Sequence, residues 1–304
     1  MNEASQERPS RPLLLFGGTG QVGRQLLRAL APLGAVVAPS RADADLTKPD
    51  ALRALIHRVR PAAVVNAAAL TNVDRAEREP DLARAVNDVA PTVMAEASRD
   101  VGALIVHYST DYVFDGAAST PYDEHAEPNP INVYGATKLA GERGVAASDA
   151  PHFIIRTSWV YSAEGNGFVA TLLRQLNESR PVRVVTDQVG SPTWSQSLAD
   201  STAGIMRTVA TPTDFRVPRD DWGVYHLGGS GEASRFEIAQ EVISARAISA
   251  SAPVVIPTSA AEFNAVAPRP AYSALFNRRA AERFGIRLDN WRVELRRMLA
   301  SQPT

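Results

Sequence analysis

The chain has 304 residues, of which 45% are hydrophobic and 21% are charged, and its formal net charge is −1. This near-balance of charge gives no reason to expect nucleic acid or an anionic membrane surface as a partner. The absence of cysteine excludes disulfides, thiolate catalysis and cysteine-ligated metals. Residues 1–11 are polar and lack a secretory apolar core, and no apolar run approaches the roughly 20 residues of a membrane span. We therefore expect a cytoplasmic protein with a disordered extension at residues 1–11.

A glycine-rich turn separates the first apolar run from the first predicted helix. Residues 13–16 are all apolar, the turn contains Gly17, Gly20 and Gly23, and apolar residues recur at helical spacing over 24–30. A buried strand, a glycine turn and a helix in this order direct the helix N-terminal amides at the pyrophosphate of a dinucleotide. Such turns also occur as simple tight connections, but this position between strand and helix favours a cofactor site.

The end of the second predicted strand indicates which cofactor binds. Residues 35–38 form a short apolar run that ends just before Ser40 and Arg41, where a Rossmann chain usually meets the adenosine ribose. An acidic residue there would bind the ribose hydroxyls of NAD, whereas serine and arginine suit the 2′-phosphate of NADP. NADPH is therefore the expected cofactor. NADH stays possible, because an arginine in a loop can also be solvated.

The next predicted elements are a helix, a strand, a second helix and a fourth strand. The third strand, residues 62–66, is followed by three alanines, which let a flat cofactor lie against the backbone or form a tight strand–helix joint. The helix at 82–100 carries Asn87, which could relay protons or hold neighbouring backbone. The fourth strand, residues 103–107, ends at His107, which we interpret as a core histidine. The helix before the third strand is predicted at residues 49–59.

Tyr134 and Lys138 lie four residues apart at the start of another predicted helix, so both project from one helix face. A nearby cation lowers the pKa of a tyrosine from about 10, which suits general acid/base work on an alcohol or ketone. Chance is a weak explanation, because Lys138 and Lys48 are the only lysines among 32 basic residues.

Upstream, Ser109 and Thr110 follow the fourth strand, and one of their hydroxyls can bind the substrate oxygen, unless both belong to a turn.

The second half of the chain is poorer in strand–helix alternation. Trp159 follows a predicted strand and is either the wall of a substrate pocket or a core tryptophan. Gln188 lies in a rigid polar loop that we expect to face the substrate. Arg269 lies between prolines and either clamps a diphosphate bidentately or is a solvated arginine. Strands are predicted at 153–156, 182–185 and 225–229, helices at 168–176, 235–245, 278–284 and 291–299, and a surface excursion at 208–221.

Four segments together resemble the dTDP-4-dehydrorhamnose reductase family of extended short-chain dehydrogenases/reductases. They are HYSTDYVF at 107–114, NVYGATKLAGE at 132–142, RTSWVY at 156–161 and DQVGSPT at 187–193. The resemblance implies an α/β fold, with a Rossmann-type doubly wound parallel sheet at residues 12–160. A smaller mixed C-terminal region, residues 161–304, would mainly bind the sugar nucleotide.

By this resemblance the catalytic set is Thr110, Tyr134 and Lys138. Together with the residues already described, the predicted cofactor contacts are Gly17, Gly20, Gln21, Val22, Gly23, Ser40, Arg41, Asp45, Leu46, Ala69, Leu70, Thr71, Tyr134 and Lys138. The predicted substrate contacts are Thr110, Asp111, Tyr134, Trp159, Gln188 and Arg269.

The implied activity is NADPH-dependent reduction of the 4-keto group of dTDP-4-dehydro-6-deoxy-L-mannose to dTDP-L-rhamnose, the last step of dTDP-rhamnose biosynthesis. Another nucleotide-sugar 4-ketoreductase, an epimerase of the same superfamily and a non-catalytic regulatory subunit stay open as alternatives. The expected partner is a dTDP-sugar, without nucleic acid or membrane, and the expected state is a monomer or homodimer. No metal is expected, because hydride transfer with tyrosine acid catalysis is chemically complete.

Overall fold

The computed structural model describes residues 11–165, 167–178, 180–246, 255–263 and 265–302. These residues contain twelve strands and eleven α-helices. The strands are β1 (Leu13–Phe16), β2 (Val36–Val37), β3 (Ala63–Asn66), β4 (Leu104–Thr110), β5 (His152–Thr157), β6 (Val160–Tyr161), β7 (Val182–Val185), β8 (Val189–Gly190), β9 (Thr193–Trp194), β10 (Gly223–His226), β11 (Ala233–Ser234) and β12 (Val255–Thr258). The helices are α1 (Gln21–Leu30), α2 (Pro49–Val59), α3 (Val73–Arg78), α4 (Pro80–Arg84), α5 (Ala90–Val101), α6 (Val133–Ala147), α7 (Phe168–Asn177), α8 (Ser195–Thr208), α9 (Arg235–Ala245), α10 (Arg278–Phe284) and α11 (Trp291–Ala300).

Six parallel strands form the central sheet, in the order β10-β5-β4-β3-β1-β2. Every residue of β1, β3, β4 and β5 is buried, because helices cover both faces of the sheet. Strands of this kind appear in a sequence as continuous apolar runs, without alternation. The predicted α/β fold with a Rossmann-type parallel sheet is therefore confirmed. Its edge strand β10 comes from the second half of the chain.

Two helical layers sandwich the sheet. On one face, the apolar sides of α1 and α8 pack through Leu26, Leu30 and Met206 against β1, β4 and β5. On the other face, α2, α5 and α6 contribute Ile56, Met94 and Val145. A separate apolar cluster joins α7, β7, α9 and α11. The buried residues of this third cluster all lie between Tyr161 and Leu299.

Two predicted elements differ from the observed ones in ways that bear on the site. The helix predicted at 82–100 is α4, a π-helical turn at Ala85–Val89 and α5, and Asn87 lies in the π turn. The fourth strand is longer than predicted, because Tyr108, Ser109 and Thr110 continue to pair with β5. Ser109 and Thr110 are therefore strand residues, and the Thr110 hydroxyl also accepts from the Tyr112 amide at 3.1 Å, as in the alternative of a serine/threonine turn.

The predicted disorder of residues 1–11 falls almost wholly outside the described residues. Arg11 is described, and its guanidinium donates to the carbonyl oxygens of Arg60, Pro61 and Val101 and pairs with Asp214. None of the helices in the described ranges combines the length and the apolar character needed to cross a membrane.

Candidate active site

A cleft of about 630 Å³ lies at the carboxyl ends of β1, β3 and β4. The chain runs from β1 to β2 on one side and then to β3 on the other side of β1. Open α/β sheets bind their ligands at such a switch point, and the volume suits a cofactor. The predicted site residues that line this cleft are Gly17, Gly20, Gln21, Val22, Ser40, Arg41, Asp45, Leu46, Ala69, Leu70, Thr71, Thr110, Asp111, Tyr134, Lys138 and Trp159.

The glycine turn has the geometry needed to hold a pyrophosphate. Gly17 has a φ of +84°, in the left-handed region that glycine adopts without strain. A Cβ at position 23 would overlap the carbonyl oxygen of Gly17, so Gly23 allows α1 to start against the turn although it does not line the cleft itself. No side chain caps the first turn of α1, whose N-cap is Gly20. Its free amides and the positive end of the helix dipole are therefore available to an anionic group.

The loop after β2 places a single arginine at the expected ribose end of the cleft. Ser40 donates from its hydroxyl to the Asp43 carboxylate at 2.6 Å, whereas the exposed Arg41 makes no side-chain hydrogen bond to any described residue. Asp45 accepts hydrogen bonds from the backbone and the hydroxyl of Thr47, and the backbone bond above all lowers its pKa. Of these three residues, Arg41 is the one whose side chain forms no hydrogen bond with a described residue.

Asn87 fixes the loop that follows β3. Its side-chain oxygen accepts from the Leu70 amide at 2.8 Å, and its side-chain nitrogen donates to the Leu70 carbonyl at 3.1 Å and to Thr137 at 3.3 Å. The amide of Asn87 thus satisfies both backbone groups of a residue that lines the cleft. Of the two roles considered for Asn87, holding neighbouring backbone is the one that these contacts support.

Tyr134 and Thr110 meet inside the cleft, although they are 24 residues apart. Asn132 caps α6 by accepting from the amide of Gly135 at 2.7 Å, which starts the helix just before Tyr134. Both hydroxyl-bearing residues are buried, at 9% and 5% exposure. Burial raises the pKa of Tyr134, and the neighbouring Thr110 hydroxyl opposes this effect.

Lys138 lies one turn after Tyr134, but its ammonium group turns toward β4. Its Nζ donates to the carbonyl oxygen of Tyr108 at 2.5 Å and lies 3.3 Å from Nε2 of His107. Burial lowers the pKa of Lys138 to about 8. The sequence led us to expect that Lys138 lowers the pKa of Tyr134. In the structure, burial has the largest effect and raises this pKa.

His107 is buried, as expected, but it contacts the site. Its Nδ1 lies 3.1 Å from the side-chain nitrogen of Asn66, whose oxygen accepts from the Ala68 amide. Burial, and then the charge of Lys138, hold the pKa of His107 well below its usual value. A neutral imidazole therefore links Lys138 to the loop after β3.

Asp111 is a buried carboxyl group with three hydroxyl donors. It accepts from Thr110 at 3.1 Å, from Ser158 at 3.0 Å and from Ser273 at 2.5 Å. Burial raises its pKa to about 6, and these hydrogen bonds oppose the shift. Because Ser273 belongs to the C-terminal region, Asp111 connects that region to the end of β4.

Trp159 lines the cleft in a strained conformation. Its φ is +44°, which is unfavourable for a residue with a side chain and is typical of functional sites. A Cβ at position 190 would lie 2.6 to 2.9 Å from three atoms of the indole ring, so Gly190 allows the ring to pack directly on β8. The indole Nε1 is buried and has no hydrogen-bond partner among the described residues.

Two predicted substrate contacts lie outside the lining of this cleft. Gln188 is partly buried and stands in the loop immediately before β8. Arg269 donates to the Asp74 carboxylate at 3.1 Å and to the Ala267 carbonyl at 3.0 Å. Its loop is thereby fastened to α3, and the Arg269 side chain retains 23% exposure.

Several cleft or near-cleft residues were missed by the sequence prediction. Ser109 was named only as an alternative to Thr110, and Thr157 was not considered; both hydroxyls are buried and have no hydrogen-bond partner within the described ranges. Their position at the carboxyl ends of β4 and β5 could have identified them. Arg235 stacks on Trp159 with its Cζ 3.8 Å from the ring centroid. Sequence offers no signal for that contact, because the two residues are 76 positions apart.

Comparison with known proteins agrees with this geometry. The family model described as RmlD substrate binding domain matches residues 11–303. A dTDP-4-dehydrorhamnose reductase of Burkholderia thailandensis is 43% identical over 92% of this chain and 95% of its own length. One of Escherichia coli K12 is 40% identical over 94% of this chain and 96% of its own.

Solved structures give the same result. The dTDP-4-dehydrorhamnose reductase of Bacillus anthracis, crystallised in complex with NADP, superposes with a TM-score of 0.86 at 34% identity, over 96% of this chain and 99% of that one. The UDP-glucose 4-epimerase of Thermus thermophilus shares the fold with a TM-score of 0.75 at 19% identity, over 96% of this chain and 100% of that one. The chain therefore belongs to the RmlD substrate binding domain family, as its motifs predicted.

Proposed function

We propose that this chain uses NADPH to reduce the 4-keto group of dTDP-4-dehydro-6-deoxy-L-mannose to dTDP-L-rhamnose. The observation that carries the proposal is that Tyr134 and Thr110 are buried in the same cleft as the glycine turn of α1. The names of the curated relatives support the substrate, and the NADP in the Bacillus anthracis structure supports the cofactor.

Tyr134 is the proton donor in this proposal. When bound, NADPH supplies the hydride that reduces the carbonyl carbon. Because burial raises the pKa of Tyr134, its phenol keeps its proton at neutral pH and can donate it to the alkoxide oxygen that forms on C4. Thr110 lies beside this phenol and orients the carbonyl oxygen for that transfer.

Lys138 balances the charge that this transfer leaves behind. With a pKa of about 8, its amine is mostly protonated at pH 7. An ammonium group one turn along α6 stabilises the tyrosinate left by proton donation. Lys138 is also one of the predicted cofactor contacts.

Arg41 selects NADPH over NADH in this proposal. It lines the cleft, and its guanidinium has no hydrogen-bonding partner within the described part of the chain. A planar guanidinium binds a phosphate bidentately, whereas it gains little from ribose hydroxyls. NADH would then be a weaker alternative cofactor.

The test is to follow NADPH absorbance after addition of dTDP-4-dehydro-6-deoxy-L-mannose. Replacement of Tyr134 by Phe should lower kcat by about 10²- to 10⁴-fold and leave NADPH affinity almost intact. Tyr225→Phe is the control, because the Tyr225 hydroxyl bonds the Asp221 carbonyl away from the cleft. A Tyr134→Phe variant with most of its turnover would refute the assignment of the acid.

Other outcomes of the same assay separate the alternatives. Interconversion of nucleotide sugars without NADPH consumption would indicate an epimerase. NADPH oxidation with a different 4-keto sugar would change the substrate alone, and no oxidation with any such sugar would indicate a regulatory subunit. Turnover that survives EDTA would support metal-free catalysis, and light scattering would distinguish a monomer from a homodimer.

A further inference from the structure

Arg235 is a cation held between aromatic rings without an acidic partner in the described chain. It is the first residue of α9, and its Cζ lies 3.8 Å from the ring centroid of Trp159 and 5.0 Å from that of Phe168. It is partly buried, yet its guanidinium forms no hydrogen bond and no ion pair with the residues that the structure describes. Five N–H donors are therefore fixed in orientation by stacking and left unused.

A second arginine, Arg269, acts on Arg235, and Asp111 and Asp74 are the carboxyl groups near the two arginines. Burial lowers the pKa of Arg235, the charge of Arg269 adds to that effect, and Tyr112 and Asp111 oppose it. Arg269 is already paired with Asp74. Asp111 is already bonded to three hydroxyl groups and, with a pKa of about 6, is only a partial counter-charge below neutral pH.

Arg235 and Arg269 adjoin the candidate catalytic residues. The ring of Tyr112 packs edge-on against that of Tyr134, with centroids 5.7 Å apart, and the charges of both Arg235 and Arg269 act on the Tyr112 hydroxyl. Trp159, on which Arg235 stacks, lines the cleft and has a buried, unpartnered Nε1 among the described atoms. An anion bound at Arg235 would therefore lie beside the substrate end of the cleft.

We propose that Arg235 is a substrate-binding residue whose guanidinium binds the diphosphate of the sugar nucleotide. The inference rests on the proposed function, which supplies a dTDP-sugar as the substrate. The planar fork of an arginine matches two phosphate oxygens, and stacking on Trp159 holds that fork in one plane before the ligand arrives. Arg269, beside it, supplies a second positive charge while it remains fastened to α3.

The experiment measures binding of dTDP to the full-length protein by titration calorimetry. Arg235→Gln removes the charge, and Arg235→Lys retains the charge without the fork. Arg219→Gln is the matched control, because Arg219 also stacks on a tryptophan, Trp222, at 4.8 Å and pairs with Asp149 at an exposed position. NADPH affinity and the melting temperature of each variant report on folding.

We expect Arg235→Gln to weaken dTDP binding about tenfold to a hundredfold, in the range of a lost charged hydrogen bond. Arg235→Lys should lie between this variant and the wild type, and thymidine, which has no phosphate, should bind all variants equally. Arg219→Gln should bind dTDP like the wild type. Added salt should weaken dTDP binding more in the wild type than in Arg235→Gln.

Equal dTDP affinity of the wild type and Arg235→Gln would overturn the inference, as would an equal loss of dTDP and thymidine affinity. If Arg235→Gln were unfolded, an unaltered dTDP affinity of folded Arg235→Lys, together with salt-independent binding by the wild type, would overturn it as well. The result is separable from the proposed function, because dTDP binding requires no turnover. A wild type that binds dTDP through Arg235 but does not oxidise NADPH would refute the reaction and leave this site in place.

Discussion

Glu142→Gln should destabilise the protein strongly, because Glu142 and Arg156 form a buried ion pair between α6 and β5. Two bonds join them: Nε of the arginine donates to one carboxylate oxygen at 2.9 Å and Nη2 to the other at 2.7 Å. The side chains are 4% and 5% exposed. The guanidinium Cζ also lies 5.2 Å from the centroid of the Phe114 ring. Removal of the carboxylate would leave the arginine charge buried and uncompensated.

The magnitude follows from that geometry. Loss of one member of a buried pair costs about 3–5 kcal/mol. The entropy of unfolding of a 304-residue chain is about 0.6 kcal/mol/K at the usual value per residue, so the melting temperature should fall by about 5–8 °C. Replacement of both partners by Leu and Met should cost less than the single change, because no isolated charge then remains.

The same substitution should alter the pH dependence of activity. The charge of Glu142 raises the pKa of Lys138, against the larger effect of burial, which lowers it to about 8. Without Glu142 this pKa falls further, so the ammonium form is lost at lower pH. The alkaline limb of the kcat/KM profile should therefore move to lower pH in Glu142→Gln.

Calorimetry and pH–rate profiles of wild type and variant provide the assay. Glu282→Gln is the control, because Glu282 pairs with Arg278 at 2.9 Å but both side chains are more than half exposed, and such pairs contribute little to stability. A fall in melting temperature no larger than that of the control would refute the reasoning about burial. An unmoved alkaline limb would refute the electrostatic link to Lys138.

Three further predictions concern the cofactor end of the cleft and Asp111. Arg41→Ala should raise the KM for NADPH about tenfold or more, as expected for one charged phosphate contact, and leave that for NADH unchanged; equal effects on both would contradict the assignment. Gly23→Ala should abolish NADPH binding in a fluorescence titration, because the added Cβ overlaps the Gly17 carbonyl, and wild-type affinity would contradict this reading. Because the folded-state pKa of Asp111 is raised to about 6 from 3.8, Asp111 favours the folded state less as pH rises from about 4 to about 6. Denaturant titrations should therefore show wild-type stability relative to Asp111→Asn falling by up to about 3 kcal/mol over that window, and a pH-independent difference would argue against a raised pKa.

The sequence alone predicted the sheet and the family. The strands β1, β3 and β7, and the helices α9 and α10, lie within a residue of their predicted bounds, because apolar period and turn residues are local properties of the chain. The glycine turn and the pair Tyr134–Lys138 were located by spacing, since strand ends and helix turns carry their own periodicity. Spacing left both Ser109 and Thr110 as candidates, and the family resemblance selected Thr110. Their presence in one cleft followed from the rule that parallel strands present their carboxyl ends at one edge.

What the sequence could not predict is which side chains meet across elements. Spacing placed Lys138 on the face of Tyr134, but only the fold showed that its Nζ turns to His107 and the Tyr108 carbonyl. Likewise, only the fold showed that Arg156 forms an ion pair with Glu142 and that Arg235 stacks on Trp159. Such partners depend on how separate elements pack and on which polar groups burial leaves in need of a hydrogen bond. The sequence thus determined many of the elements and the candidate chemistry, although helices α3 and α8 were not predicted. The tertiary structure decided the partners and, through burial, the pKa values.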